Sequence, residues 1–226
     1  MNPARVAAAV LALGLVTTGC GKGGSTPSSA PSASSSGQPA PEPTYTSPPP
    51  SLPASNVQLT TAAPPWAPPI ITNPQNSAAY VAAAGLPYSE EMLSVHYHAH
   101  LDINVNGNPV VVSQYIGFVA KGSSVVGLAP LHTHDNSGII HIENSVPATF
   151  YLGQFFIEWG VRFSKTCLGP YCAGHGKELA VYVDGRPYVG DPTKIVLTKH
   201  EEIAVEYGAT GKLPAPPSSY AFPSGL

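Results

Sequence analysis

The chain has 226 residues, a formal net charge of −3 and only 10% charged residues, with 26 prolines and 22 glycines. Such a composition offers no basic surface of the kind that binds nucleic acid, so we expect no nucleic-acid partner. The length allows one large domain or two small ones.

The N-terminus has the pattern of an export signal. Arg5 precedes an apolar run over residues 6–16, and small residues follow it up to Cys20. The run is too short to cross a bilayer, which takes about 20 apolar residues. A basic start, an apolar centre and small residues before a cleavage point are typical of a secretory signal peptide.

The ending TTGC at Cys20 resembles the lipobox of bacterial lipoproteins. In that family the signal is cut before the cysteine, whose thiol and new amino group are acylated. The resemblance implies a signal peptide over residues 1–19 and Cys20 as the lipid anchor, on the outer face of the plasma membrane or in the periplasm. Thr17 departs from the family, which usually has Leu there. A signal without lipid attachment is the alternative.

The composition divides the rest of the chain into three parts. Residues 20–75 are rich in Ser, Pro, Ala, Gly and Thr, which predicts a disordered tether, although the segment around Trp66 could lie against the domain. Residues 76–208 can form a single domain with a modest core. Residues 209–226 are again Pro-rich and should be extended.

Two helices are predicted in the domain. Ser77 begins an Ala-rich helix, with Asn76 as its N-cap and Gly85 at its end, and the residues from Ser89 could add a helical turn. Residues 149–159 carry apolar side chains at i, i+3, i+4 and i+7, which predicts a helix that packs by one face.

Most of the remaining patterns predict strands. Val95–Val105 alternates strictly, and Asn106-Gly107 and Asp184-Gly185 are hairpin turns. Two short arms should meet around a turn at residues 135–138. Further strands are predicted over residues 109–112, 115–120, 123–126, 179–189 and 194–205. We therefore expect a single, mainly β domain, a sandwich or a barrel-like fold built of antiparallel hairpins, with one or two short helices.

Histidines are concentrated in one part of the chain. Six of the eight lie between His96 and His141. On a strand, residues i and i+2 point the same way about 6.6–6.8 Å apart, so two neighbouring imidazoles can bind one metal ion. His96 and His100 would be about 13 Å apart and should not easily share an ion. Two of these three histidines should therefore be ligands, and the third could belong to a second site.

The segment 129–144 repeats the His-X-His spacing and can supply the other half of a site. The candidate metal ligands are His96, His98, His100, His132, His134 and His141. Asp102, Asp135 and Glu143 are candidates to accept hydrogen bonds from the ring N–H groups, which fixes ligand tautomers in metal sites. Imidazole-rich sites with carboxylates nearby suit zinc, copper(II), nickel or iron(II), and among these we expect copper or zinc.

A His-X-His pair with a third histidine on strands is similar to the sites of carbonic anhydrases and cupins. The resemblance covers only those positions and implies a metal held by three histidines, joined in cupins by a Glu. The cupin spacing is not met, because Glu143 lies nine residues beyond His134.

Three functions fit this sequence. The first is a lipid-anchored metal-binding protein for acquisition, buffering or delivery, with the membrane, the metal and an unidentified envelope protein as partners. The second is a metalloenzyme with a metal-activated water, for which Glu143, Asp135 or Asp102 could be the base. The third is a structural or pH-sensing β domain. We favour the first, which is not an enzyme.

Cys167 and Cys172 are the two cysteines of the domain. In an oxidising compartment this spacing favours a disulfide. Metal ligation together with His175 and a redox pair are the alternatives. His200 is expected to be a surface residue.

Overall fold

The computed structural model describes residues 57–91 and 94–226, together with the backbone of residues 45–46. The export signal, Cys20 and most of the predicted tether lie outside these residues. Within the described part of the chain, no helix is long and apolar enough to cross a membrane.

The fold is mainly β and forms a single domain, as predicted. The strands are β1 (Tyr45–Thr46), β2 (Val95–Val105), β3 (Asn108–Pro109), β4 (Phe118–Lys121), β5 (Ser124–Leu128), β6 (Leu131–His132), β7 (Ile139–Asn144), β8 (Ala148–Thr149), β9 (Cys167–Leu168), β10 (Tyr171–Cys172), β11 (Lys177–Val183), β12 (Arg186–Pro187) and β13 (Glu202–Ala209). The helices are α1 (Pro69–Thr72), α2 (Ser77–Ala83) and α3 (Leu152–Trp159), with short 3-10 helices at Pro74–Asn76 and Pro192–Lys194.

One large sheet organises the domain. Its strand order is β12-β11-β13-β2-β7-β6, with β3 also paired to β2. β13 and β2 run parallel, and the other neighbours are antiparallel. The order ends at β12 and at β6, so the sheet is open and does not close into a barrel. β1–β8, β4–β5 and β9–β10 form three small two-stranded sheets.

The large sheet has an apolar face and a polar face. On β2, Leu101 and Ile103 are buried in the core, together with Ile203 and Val205 of the neighbouring β13. Alternate residues of a strand point to opposite faces, so the histidines of β2 share the other face. The alternation predicted for Val95–Val105 is therefore confirmed, and the histidines are on the side away from the core.

Helix α3 is buried on every side, whereas the sequence pattern predicted one packed face. Even Gln154 and Glu158 are buried. Residues near the end of the segment expected to form the tether help to cover this helix. The Trp66 ring contacts the Trp159 ring at 5.7 Å, and the Trp159 indole N–H donates to the Trp66 carbonyl oxygen at 2.8 Å.

Local turn chemistry determines both predicted hairpins. Asn106 and Gly107 have φ of 54° and 83°, and Asp184 and Gly185 have φ of 49° and 72°. Two consecutive positive φ values match the twist of the flanking strands, which is why Asn-Gly and Asp-Gly are favoured.

Several predicted elements differ from the structure because distant pairing determines them. Ser89 is not helical and instead bridges Leu128 in an extended conformation. Tyr115 has a φ of 66° and lies in a turn, so the strand begins only at Phe118. β3 ends at Pro109, and the predicted strand 194–205 is replaced by a 3-10 helix and by β13 from Glu202.

The outer side of β6 is hydrogen-bonded to the turn that precedes β4. The Tyr115 amide donates to the Thr133 carbonyl oxygen at 2.8 Å, and the Thr133 amide donates to the Ile116 carbonyl oxygen at 3.2 Å. This turn therefore covers the end of the large sheet that carries His132.

The C-terminal tail crosses the polar face. The Tyr220 ring stacks on His100 with a centroid distance of 3.6 Å, and Phe222 stacks on His200 at 4.7 Å. β13 is buried along almost its whole length, including Glu202 and Glu206.

Candidate metal centre

Strand register brings the two histidine segments together on the polar face. β2 and β7 place His98 opposite His141, and His96 opposite Glu143. β6 and β7 place His132 opposite His141. The two arms predicted around residues 135–138 do pair, and their histidines face those of β2.

Ring nitrogens in this cluster lie at distances that a shared ion requires. His98 Nε2 is 3.2 Å from His141 Nδ1, and His132 Nε2 is 3.2 Å from His134 Nε2. Two nitrogens bound tetrahedrally at about 2.0–2.1 Å from zinc would be about 3.3–3.4 Å apart. Each pair could therefore hold an ion with little movement.

The donor atoms fall into two sets, in each of which all of them lie within 4.8 Å of one another. One set consists of His132, His134, His141 and Glu143. The other consists of His96, His98 and His141. His141 is common to both.

Glu143 lies between the two sets. Its side chain is 2% exposed, and its Oε1 is 3.2 Å from His96 Nε2, 3.6 Å from His132 Nε2 and 3.7 Å from His141 Nδ1. Neither carboxylate oxygen has a well-directed hydrogen bond from any described residue. A buried carboxylate without hydrogen-bond partners is costly unless a cation compensates it. This observation fits a metal ion at the cluster.

Several of these histidines are held in the neutral form that binds metals. Burial lowers the pKa of His132 to about 3. Burial and the neighbouring His141 and His96 lower the pKa of His98 to about 4. Burial also lowers the pKa of His134, with a contribution from His141. At neutral pH these imidazoles offer lone pairs without first losing a proton.

A backbone contact orients His132. Its Nδ1 lies 2.9 Å from the Ala129 carbonyl oxygen and donates to it, because a carbonyl oxygen can only accept. In the neutral ring Nε2 is then left as the acceptor, and it faces His134. A fixed tautomer of this kind is a common property of metal-binding histidines.

The cluster is open to solvent at two positions. The side chains of His96 and His134 are 33% and 41% exposed, whereas His132 is fully buried. Glu91, also exposed, has its Oε1 3.9 Å from His134 Nε2. An ion could reach the buried ligands past either exposed histidine.

His100 belongs to a separate set, although the sequence grouped it with the metal ligands. Its Nδ1 is 2.8 Å from Glu202 Oε2, and its Nε2 is 2.9 Å from the Ser137 carbonyl oxygen. Burial alone would lower the pKa of His100, but the hydrogen bond and charge of Glu202, with the Ser137 carbonyl, raise it overall. Both nitrogens are therefore in contact with Glu202 and Ser137, and His100, Asp102 and Glu202 form a third group whose donor atoms lie within 4.8 Å of one another.

The predicted acidic residues have different positions. Asp102 lies near His100, with Oδ2 3.9 Å from Nδ1. Asp135 accepts a hydrogen bond from the Ser137 amide at 2.8 Å and so shapes the turn between β6 and β7. Glu143 belongs to the set of His132, His134 and His141, whereas Asp102 belongs to the third group, with His100 and Glu202.

The cysteines and the two remaining histidines lie outside the cluster. Cys167 and Cys172 form a disulfide. His175 is exposed and belongs to none of the metal-compatible sets among the described residues. His200 is exposed, and its Nε2 lies 3.0 Å from the Leu226 carbonyl oxygen.

Sequence reasoning missed Glu202 and Tyr220. Glu202 reaches His100 through parallel pairing of strands about a hundred residues apart, and Tyr220 lies in a Pro-rich tail. Neither position shows a local pattern.

In comparisons with protein-family models, curated proteins and solved structures, no match to this chain was found.

Proposed function

We propose that this chain is an extracytoplasmic, lipid-anchored protein that binds a divalent transition metal, copper or zinc, for acquisition, buffering or delivery. Its ligands are His96, His98, His132, His134, His141 and Glu143.

The buried carboxylate of Glu143, which has no well-directed hydrogen bond and lies among converging imidazoles, is the observation that carries this proposal. Imidazole nitrogens with a carboxylate suit copper(II) and zinc, whereas calcium and magnesium prefer oxygen ligands. The exposed His96 and His134 at the rim fit a protein that exchanges its ion with solvent or a partner.

Metal titration of the full chain tests the proposal. After metal is removed with a chelator, the chain should bind Zn²⁺ or Cu²⁺ with a Kd below about 1 µM at neutral pH, measured by competition calorimetry. Failure of both ions to bind at this level would overturn the proposal.

A single substitution at the shared ligand tests its location. His141→Gln should weaken Zn²⁺ binding at least about tenfold, which corresponds to about 1.4 kcal/mol, because His141 contributes to both sets. The control is His175→Asn, an exposed histidine at a φ of 50°, where Asn is tolerated. It should bind like the wild type. Equal affinity in both variants would place the metal elsewhere.

The lipid anchor has its own test. Wild-type protein expressed in a bacterium should sediment with the membranes, and Cys20→Ser should appear in the soluble exported fraction. A serine variant that still sediments would contradict attachment through Cys20.

A further inference from the structure

We infer that the cluster holds two metal ions, bridged by the Glu143 carboxylate. This inference rests on the proposed metal binding and specifies how many ions the site takes and which residues bind each.

The ligand atoms of the cluster are too far apart for all of them to bind a single ion. Ligand atoms on a single zinc can be no farther apart than twice the ligand distance, about 4.2 Å, and such an ion commonly takes four ligands. Here six side chains carry donors, and they fall into two sets that share His141 alone. A ring nitrogen has one lone pair, so His141 Nδ1 cannot bind two ions.

The first ion is assigned to His96, His98 and His141. His141 Nδ1 is 3.2 Å from His98 Nε2, which is the shorter of its two donor contacts. The His96 and His98 rings have centroids 4.6 Å apart on the same strand face.

The second ion is assigned to His132 and His134. Their Nε2 atoms are 3.2 Å apart, and the Ala129 contact leaves the lone pair of His132 Nε2 directed into this space. Glu91 Oε1, 3.9 Å from His134 Nε2, can add a second carboxylate from the solvent side.

Glu143 is placed to connect the two positions. Its Oε1 is 3.2 Å from His96 Nε2 of the first position and 3.6 Å from His132 Nε2 of the second. Both of its oxygens are buried without a well-directed hydrogen bond, and Oε1 faces donors of both positions. Paired metal ions in proteins are typically about 3.5–4 Å apart.

Counting bound ions tests the inference. The metal-free full chain is titrated with Zn²⁺, and the ions bound per chain are read by native mass spectrometry. We expect two in the wild type and in the control His175→Asn. His96→Ala and His134→Ala should each hold one, and Glu143→Gln should weaken the second ion at least about tenfold.

These variants are chosen to preserve folding, because the side chains of His96 and His134 are the exposed members of the cluster.

Electron paramagnetic resonance of the Cu²⁺-loaded protein is the second measurement. Two adjacent ions should couple and give fewer detected spins than copper atoms, and His134→Ala should restore one full spin per chain.

The outcomes separate this inference from the proposed function. One ion at saturation in the wild type, or two in either alanine variant, would overturn the two-ion site and leave metal binding standing. No bound ion would overturn both.

Discussion

His100 and His132 lie on the same face of one sheet, yet their surroundings shift their pKa values in opposite directions. His132 is buried with one carbonyl oxygen at Nδ1, and burial lowers its pKa to about 3. His100 is also buried but has Glu202 at one nitrogen and a carbonyl oxygen at the other, which raise its pKa. The groups that face each ring therefore shift the pKa values of these two buried histidines in opposite directions.

Glu202→Gln tests this division at the level of one residue. The substitution leaves His100 buried beside a neutral amide, and breaking a buried pair by removing one partner costs about 3–5 kcal/mol. Urea unfolding at neutral pH should show a loss of this order.

Zinc stoichiometry in the folded variant should match the wild type, because His100 and Glu202 form a separate group with Asp102 that shares no residue with the two sets around His141. A loss of bound zinc would mean that the two groups of residues form one site.

The turn between β6 and β7 links these groups, and a glycine makes it possible. Gly138 has a φ of 90°, and a Cβ there would lie 2.9 Å from His100 Nε2 and 2.7 Å from the Leu101 carbonyl oxygen. Its backbone carbonyl oxygen accepts a hydrogen bond from the Leu101 amide at 3.0 Å. Any side chain at this position would press on β2 near His100.

Gly138→Ala is therefore expected to cost more than strain in the backbone alone. Gly122→Ala is a matched control, since Gly122 has a φ of 63° and a methyl group there would meet no atom within 4 Å. The control should lose about 1–2 kcal/mol from the positive φ. Gly138→Ala should lose clearly more in thermal or urea unfolding, and equal losses would show that the turn yields to the methyl group.

The elements that were predicted well from the sequence are those determined by residues close to one another along the chain. Val95–Val105 alternates over its whole length, and the Asn106-Gly107 turn needs two positive φ values that this pair adopts readily. The 194–205 strand was misplaced because β13 is defined by its pairing with β2 and β11. The apolar periodicity of α3 predicted a helix, but it could not predict which other elements bury the polar side of that helix.

The same limit applies to the candidate site. Strand spacing indicated that two neighbouring histidines of β2 could share an ion and that segment 129–144 supplies the rest. The register of β2 on β7 then decides which histidines meet, and no single segment encodes it. Glu143 was expected to accept hydrogen bonds from the ligands or, in an enzyme, to act as the base, and its burial between the two sets became visible from the fold.

At the scale of the whole molecule, buried ionisable groups should give the metal-free domain a stability maximum in pH. The low folded pKa values of His98 and His132, about 4 and 3, mean that the unfolded chain binds more protons below pH about 6.5. Stability is therefore lost as the pH falls from there. Burial, with the charge of Asp102, raises the pKa of Glu206 to about 7, so stability also falls as the pH rises from about 4.5 to 7.

Glu206→Gln should reduce the alkaline part of this dependence, to which Glu201, whose pKa burial also raises to about 7, contributes as well. At pH about 8 the wild type must hold a buried carboxylate, and the variant should melt about 2–4 °C higher for each kcal/mol relieved. At pH about 4 the two proteins should melt close together, because the wild-type carboxyl is then mostly protonated in both states. Melting curves of both proteins at the two pH values test this prediction. A difference in melting temperature between variant and wild type that is the same at both pH values would contradict it.

The two ends of the large sheet affect how copies of the chain can meet when they are crowded together. β12 spans only Arg186–Pro187, with a charge and a residue that lacks an amide hydrogen, and β6 is covered by the turn at residues 115–117. Long, unprotected strand edges are where sheets of neighbouring molecules join. Within the described chain, both ends of this sheet are short or covered, so crowded copies can lie side by side without pairing edge to edge.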